Sequence, residues 1–238
     1  MGGVGTSAAA MGGASADVEA FLGRLVRLDP VALVRVRRVA DRSTLWGHVP
    51  WDVLVSRTVA GSFDADRDVV VRARDWLAAG DAAMTNLLRR DAEWRLALPP
   101  DERSVIEEIP AAELRSLGAA AADTLRAAEA GALGGRAVGV RAVRDALLDH
   151  IAIVVSAGER RVEIPQRLVQ AVVRMDFAPP SRAGDGDGRA GGGDGRASGG
   201  EGPVRVVRAG GWTGLAADYG TAWWRKASGF GITPARSR

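Results

Sequence analysis

Apolar residues recur at helical spacing in several parts of the chain. Val18, Phe21, Leu22, Leu25 and Leu28 lie three or four positions apart, which predicts one apolar helix face that ends before Pro30. The predicted helices cover residues 16–28, 64–80, 110–131 and 136–150, and a fifth begins at Pro165. The buried stripe predicted for the fifth helix consists of Leu168, Val169, Val172, Val173 and Met175.

Alternation of apolar and charged residues predicts strands between these helices. Residues 31–39 alternate valine or leucine with arginine, as a half-buried strand does. Residues 51–60 fit either a partner strand or the start of a helix. A short strand is predicted at 104–109, a hairpin at 151–165 that turns at 156–159, and two or three strands after residue 203. The mixed order of helices and hairpins predicts an α+β fold rather than a doubly wound parallel sheet. No internal repeat is visible.

A glycine-rich stretch with alternating small charges, residues 178–202, marks the clearest boundary. Such a composition cannot bury enough apolar surface to offset its ordering entropy, so we expect a flexible loop. The stretch after it is too short to fold alone without disulfides or metal, so it should pack back onto the preceding part. The expected organisation is a disordered tail over 1–16, one domain formed by 17–177 and 203–227, and a disordered basic tail over 228–238.

The composition excludes several chemistries. The chain of 238 residues has no cysteine, which removes disulfides, thiolate nucleophiles and iron-sulfur ligation. No run approaches the roughly 18 apolar residues of a spanning helix, and the first 16 residues lack the pattern of a secretory signal. We therefore expect a cytoplasmic protein with no membrane partner. The dominance of arginine over lysine is typical of a GC-rich bacterial genome, so it indicates little about ligands.

Catalytic candidates are few. The two histidines, His48 and His150, lie far apart in the chain, and neither belongs to a known catalytic or metal-binding motif. Asp145, Asp149 and His150 cluster near the end of one predicted helix, where they could hold a divalent metal or transfer protons. The alternative is a solvated helix end whose histidine meets the helix dipole. We expect a non-catalytic protein with no metal and no cofactor.

Residues 131–139 form a glycine-rich segment before a predicted helix. Gly134, Gly135 and Arg136 could hold a phosphate on the backbone amides of that helix. The segment follows a helix rather than a strand and lacks the spacing of dinucleotide and P-loop signatures. A simple connection between two helices is the alternative.

Two groups of residues suggest contact with nucleic acid. Arg167, Gln170 and Arg174 share one face of the fifth helix and are types that read base edges or phosphates. Trp224, Arg225 and Lys226 lie in a basic, tryptophan-containing C-terminal stretch, where aromatic and basic side chains can stack on bases and follow a backbone. The alternative for the helix residues is a solvated helix face. The alternative for the C-terminal residues is a core hairpin with a charged tail.

The C-terminal tryptophans also bear on the core. Consecutive Trp223 and Trp224 on a strand would face opposite sides of it, so we expect Trp212 and one member of this pair to be buried. The remaining tryptophan would then lie beside Arg225 and Lys226 as a contact surface.

These observations favour an intracellular, non-catalytic regulatory or interaction protein whose C-terminal region contacts nucleic acid or, next in order, another protein. A different hypothesis is a small-molecule enzyme or ligand-binding domain with its site near Asp149, His150 and residues 131–139. A third is an assembly subunit that forms homo-oligomers through an exposed tryptophan patch. The sequence leaves the identity of the partner open.

Overall fold

The computed structural model describes residues 5–61, 68–80, 86–129, 140–158, 160–179 and 202–226. The helices in these ranges are α1 (Gly5–Leu28), α2 (Ala73–Ala79), α3 (Ala111–Glu129), α4 (Val140–Asp149) and α5 (Gln166–Arg174). The strands are β1 (Leu33–Val39), β2 (Arg42–Val49), β3 (Val53–Ala60), β4 (Asp68–Arg72), β5 (Ser104–Ile109), β6 (Ile151–Ala157), β7 (Arg160–Pro165), β8 (Val204–Ala209), β9 (Trp212–Ala217) and β10 (Gly220–Trp224). Helices and antiparallel strands occur in mixed order, so the predicted α+β class is confirmed.

Eight strands form one antiparallel sheet in the order β4-β1-β2-β3-β10-β9-β8-β5, and β6 pairs with β7 in a separate hairpin. The C-terminal strands β9 and β10 lie between β3 and β8. The strand β10 pairs with β3 through Thr221, Ala222 and Trp223. The C-terminal stretch therefore occupies the centre of the sheet, which confirms that it packs back onto the preceding part of the chain.

One face of the sheet is covered by α1, α2 and α5. Val18 and Leu25 of α1, Trp76 of α2 and Leu168 and Val172 of α5 are completely buried against it. Burial of one large apolar side chain stabilises a fold by about 1.5–3 kcal/mol relative to exposure. These residues belong to a larger cluster that we call the main core. Residues from every strand of the eight-stranded sheet belong to this cluster or pack against it.

The opposite face of the sheet carries a second, smaller cluster of buried residues. It consists of Trp46, Leu54, Val207, Ala209 and Trp223. Trp94 and Leu98, from the segment that leads into β5, pack against this second cluster. That segment covers only part of the face.

A glycine on the neighbouring strand makes room for the indole of Trp223 on the second face. A Cβ atom added at Gly214, on the neighbouring strand β9, would lie 2.7 Å from Cε3 of Trp223 and 2.8 Å from Cγ2 of Val207. Such distances are too short for carbon atoms, so a larger residue at Gly214 would push the indole away.

The order of elements repeats within the fold, although the sequence shows no repeat. The helix α1 is followed by the meander β1-β2-β3, and α5 is followed by the meander β8-β9-β10. In the sheet the two meanders run in mirrored order and meet where β3 pairs with β10. The outer strands β4 and β5 extend the two halves in the same mirrored way. The architecture is thus pseudo-twofold.

Three local predictions are corrected by the structure. Residues 68–72 form β4 instead of opening a helix at 64, because three consecutive valines favour a buried strand over the first turns of a helix. The strand β2 is missing from the prediction, since it is buried on both faces and does not alternate. The helix α1 begins at Gly5 rather than at residue 16. Its added turns are rich in alanine, the strongest helix former.

Other predicted elements hold. The alternating residues 31–39 contain β1, and 104–109 is β5. The strand interpretation of 51–60 is β3, although it pairs with β2 and β10 and not with β1. The hairpin at 151–165 is β6 and β7. The predicted loop over 178–202, apart from residues 178, 179 and 202, and the predicted tail over 228–238 lie outside the described residues.

No helix in the described ranges is both long and apolar enough to cross a membrane.

Candidate nucleic-acid interface

Two of the three polar residues predicted on the outer face of α5 make contacts within the protein. Arg167 donates from Nη1 to the carbonyl oxygen of Trp51 at 2.9 Å and pairs through Nη2 with Asp149. Its Nη1 also lies 3.7 Å from Oδ2 of Asp52. Only 16% of the Arg167 side chain is exposed, so it holds α5 to its neighbours. The structure therefore gives Arg167 an internal role.

Gln170 and Arg174 border a groove between helices. Gln170 donates from Nε2 to the carbonyl oxygen of Gly118 in α3 at 3.2 Å, whereas Arg174 is exposed at the end of α5. The groove between α1, α3 and α5 has a volume of about 720 Å³. Its lining consists of Arg24, Arg27, Leu28, Arg115, Gly118, Ala119, Ala122, Arg126, Gln170, Val173 and Arg174.

We call this groove the helical groove, and every charged residue of its lining is an arginine. The lining named above contains five arginines and no carboxylate. Arginine stays protonated throughout the physiological pH range, and its planar group matches the oxygens of a phosphate. Gly118, Ala119 and Ala122 of α3 have small side chains, so the groove is open between the arginines.

Three of the five arginines also contact neighbouring groups. Arg24 donates to Oδ2 of Asp176 at 2.6 Å, and Arg126 pairs with Asp123 one helical turn away. Arg115 donates to the carbonyl oxygen of Ala178 at 3.1 Å. These contacts hold the guanidinium groups in place, and the two carboxylates reduce part of the charge.

Arg27 and Arg174 are the two exposed arginines of the helical groove that form no ion pair within the described residues. They come from α1 and α5, on two sides of the groove. An anion placed between them would meet both charges without displacing an internal partner.

The C-terminal residues Trp224, Arg225 and Lys226 do not form a single surface. Trp224 is half-buried and packs against the main core. The guanidinium carbon of Arg225 lies 5.1 Å from the ring centre of Trp212, which packs against the second cluster. Trp224 and Arg225 therefore face opposite sides of the sheet, while Lys226 is exposed. The core member of the tryptophan pair is Trp223, which is 2% exposed.

The acidic and histidine candidates lie at the end of α4. The carboxylate of Asp149 faces Arg167, and the exposed Asp145 lies 3.8 Å from Nε of Arg144. His150 is exposed, and its carbonyl oxygen accepts a hydrogen bond from the backbone N–H of Gln166 at 2.8 Å. These residues connect α4 to α5. No group of three or more histidine, aspartate or glutamate side chains within the described ranges is arranged to hold a metal ion.

The phosphate candidates Gly134, Gly135 and Arg136 lie outside the described residues, like the rest of the segment 131–139.

The other histidine, His48, lies half-buried on β2. Burial lowers its pKa below the ordinary value of 6.5, although Asp52, with Oδ1 3.9 Å from Nε2, and Asp29 act in the opposite direction. The imidazole is therefore held in its neutral form by the loss of hydration.

This burial predicts how stability depends on pH. Below pH 6.5 the unfolded chain gains a proton on His48 before the folded chain does. The contribution of neutral His48 to the free energy of unfolding should be fully present above that pH. It should decrease as the pH is lowered towards the pKa of His48 in the folded chain. Urea unfolding between pH 7 and pH 5 is expected to show this decrease, and His48→Gln to make it shallower. His150→Gln is the matched control, and an equal effect in that variant would contradict the assignment.

Sequence reasoning missed most of the helical groove, although part of its signal was present. Arg115 and Arg126 are eleven residues apart, which is about three helical turns, so they share a face of α3. Arg24 and Arg27 are three apart on α1 and lie next to each other. What the sequence lacks is the information that these faces meet α5.

Solved structures with a similar fold are DNA polymerase sliding clamps. The DnaN sliding clamp (DNA polymerase III subunit beta) from Bartonella birtlesii bound to griselimycin matches with a TM-score of 0.52 and 11% identity, over 90% of this chain and 64% of that one. The beta sliding clamp from C. crescentus matches with a TM-score of 0.50 and 11% identity, over 90% and 64%. The chain thus spans less than two thirds of these structures, and at this identity the likeness concerns the fold alone. No curated protein matches the chain.

Two family models match consecutive parts of the chain. One, described as Domain of unknown function (DUF8010), matches residues 8–97, which contain β1 to β4. The other matches residues 98–229, which contain β5 and β8 to β10, so both parts supply strands to the same sheet. Because the second match covers more than half of the chain, the chain belongs to the family described as Domain of unknown function (DUF8185).

Proposed function

We propose that this chain is a non-catalytic interaction protein that contacts the phosphate backbone of nucleic acid through the helical groove. The observation that carries the proposal is the convergence of five arginines from three helices on a lining without a carboxylate. The whole chain has a net charge of only +3, so this concentration of positive charge is a local feature of its surface. Focused positive charge attracts a polyanion and accelerates its association.

The type of contact follows from the residues of the groove. Guanidinium groups bind phosphate oxygens, and these contacts position a nucleic acid without reading its sequence. The lining contains no aromatic side chain on which an unpaired base could stack. We therefore expect binding that depends on salt and is independent of sequence.

The fold likeness supports the same class of partner. The structure from Bartonella birtlesii is described as a sliding clamp and a subunit of a DNA polymerase, and its fold covers most of this chain. That likeness favours nucleic acid over an unrelated small-molecule ligand. The proposal includes a cytoplasmic location, which is compatible with the absence of cysteine.

The test measures binding of a fluorescein-labelled DNA duplex of mixed sequence by fluorescence polarisation over a series of salt concentrations. Arg27→Glu combined with Arg174→Glu should weaken binding at least about tenfold and reduce the slope of log K against log salt by about 2, since each lost phosphate contact removes about 0.9. Neither residue has an ion pair in the described structure, so the fold should be retained.

The matched control reverses two arginines on the other side of the sheet, with Arg42→Glu and Arg205→Glu. Duplex binding should be unaffected apart from a small change through the net charge. Absence of binding by the natural chain at about 50 mM salt, or an equal loss in both double variants, would contradict the proposal.

Arg225 and Lys226 remain a separate hypothesis for nucleic-acid contact. Alanine at both positions in the same assay distinguishes the two sites, because the helical groove is left intact.

A further inference from the structure

We infer that the open part of the second sheet face is a docking site for an extended acidic peptide segment of a partner protein. This site is independent of the helical groove and lies on the other side of the sheet. It is a groove of about 840 Å³ that crosses the strands. We call it the sheet groove.

The floor of the sheet groove is low and polar. Ser56 lies in the middle, where its Oγ accepts a hydrogen bond from Nε1 of Trp223 at 3.3 Å and lies 3.5 Å from the carbonyl oxygen of Thr221. Thr44 and Thr58 form a pair whose hydroxyl oxygens are 3.0 Å apart. A hydroxyl has one donor and two acceptor sites, so this exposed pair can still donate to one ligand group and accept from another.

Three exposed arginines border this floor from separate parts of the fold. Arg42 comes from β2, Arg103 from the segment before β5, and Arg205 from β8. None of the three forms an ion pair with a carboxylate within the described residues. Their charges are thus available to a ligand whose own carboxylates reach both sides of the groove. The complementary ligand is anionic.

The other lining residues favour a peptide over a nucleic acid. Asp101 and Asp218 also line the sheet groove, and they would repel a continuous line of phosphates. A peptide can place its carboxylates away from these two residues. The indoles of Trp46 and Trp223 are 9% and 2% exposed, so neither offers a free face for a base to stack on.

Apolar residues at the two ends of the groove fit the same ligand. Val39 in β1 is 68% exposed and Val105 in β5 is 57% exposed, and both belong to the lining. The two strands are six strand spacings apart in the sheet, which corresponds to about 29 Å. An extended peptide of about nine residues covers this distance. Arg42 pairs with Val39 across β1 and β2, and Arg205 lies on β8 next to β5. The preferred segment would therefore have an apolar residue at each end, an acidic residue beside each of them and hydroxyl residues in its middle.

The experiment uses the full chain and a fluorescein-labelled peptide of about nine residues, with a valine at each end, a glutamate beside each valine and serines in the middle. Fluorescence polarisation should show saturable binding, and the same peptide with lysine in place of glutamate should not bind. Arg42→Glu combined with Arg205→Glu should weaken binding at least about tenfold. Arg27→Glu combined with Arg174→Glu should leave peptide binding unchanged.

These variants also separate this inference from the proposed function. Loss of duplex binding in the helical-groove variant, with peptide binding intact, supports two distinct sites. Equal binding of the acidic and lysine peptides, or peptide binding unchanged in the Arg42→Glu and Arg205→Glu variant, would overturn the inference. So would a loss of duplex binding in that variant as large as its loss of peptide binding, because the sheet groove would then be a nucleic-acid site. Circular dichroism spectra identical to those of the natural chain establish that the variants are folded.

Discussion

Ending the chain at residue 201 is expected to abolish cooperative unfolding. The deletion removes β8, β9 and β10, which connect β3 to β5 in the sheet. Four strands would remain together, β5 would lose its partner, and the main core would lose buried residues such as Val204, Leu215 and Ala222. Urea unfolding followed by circular dichroism should change from one sharp transition to a shallow slope without a midpoint.

The control for this deletion is a chain that ends at residue 226, which retains every described strand. Its urea midpoint should equal that of the full chain. A sharp transition in the shorter chain would instead show that the first part folds on its own. It would contradict the prediction that residues 17–177 and 203–227 form one domain.

The substitution Trp223→Ala is expected to lower the free energy of unfolding by about 3–5 kcal/mol. Trp223 is almost completely buried, belongs to the second cluster and donates from Nε1 to Oγ of Ser56 at 3.3 Å. Removal of the indole would leave a cavity above Gly214, which the surrounding sheet cannot close without distortion. The measurement is the urea midpoint at constant slope.

The adjacent Trp224→Ala is the matched comparison. Trp224 has the same chemistry but is only half-buried, on the other face of the sheet. Its replacement should cost clearly less than that of Trp223. If Trp224→Ala proves the more destabilising of the two, then the assignment of the faces is wrong.

Sequence patterns predicted the elements that alternate or have clear ends. The strand β1 alternates valine with arginine, and α5 begins after a proline, so both have signals within a few residues. The strand β2 has buried residues on both faces, because helices cover one side and the second cluster covers the other. A strand of this kind lacks alternation, and its partners on both faces are distant in sequence.

The helical groove shows a similar limit. Their shared helix face predicts nucleic-acid contact for Arg167, Gln170 and Arg174, and the structure places Gln170 and Arg174 in the groove. Arg167 shares the same helical face by spacing, but it pairs with Asp149 and contacts Trp51. Spacing along one helix indicates which side chains share a face. It does not show which neighbours lie against that face, and those neighbours decide whether an arginine is available to a ligand.

The seam between β3 and β10 has a mechanical consequence. This ladder joins only three residue pairs, the fewest of any ladder in the described sheet, and it lies between the two mirrored meanders. A sheet under load bends most readily where the fewest hydrogen bonds resist. The sheet groove crosses this seam on one side, and the helices that carry the helical groove lie on the other. The helix α5 packs on β3, β9 and β10, so it bridges this seam and braces the sheet at its shortest ladder.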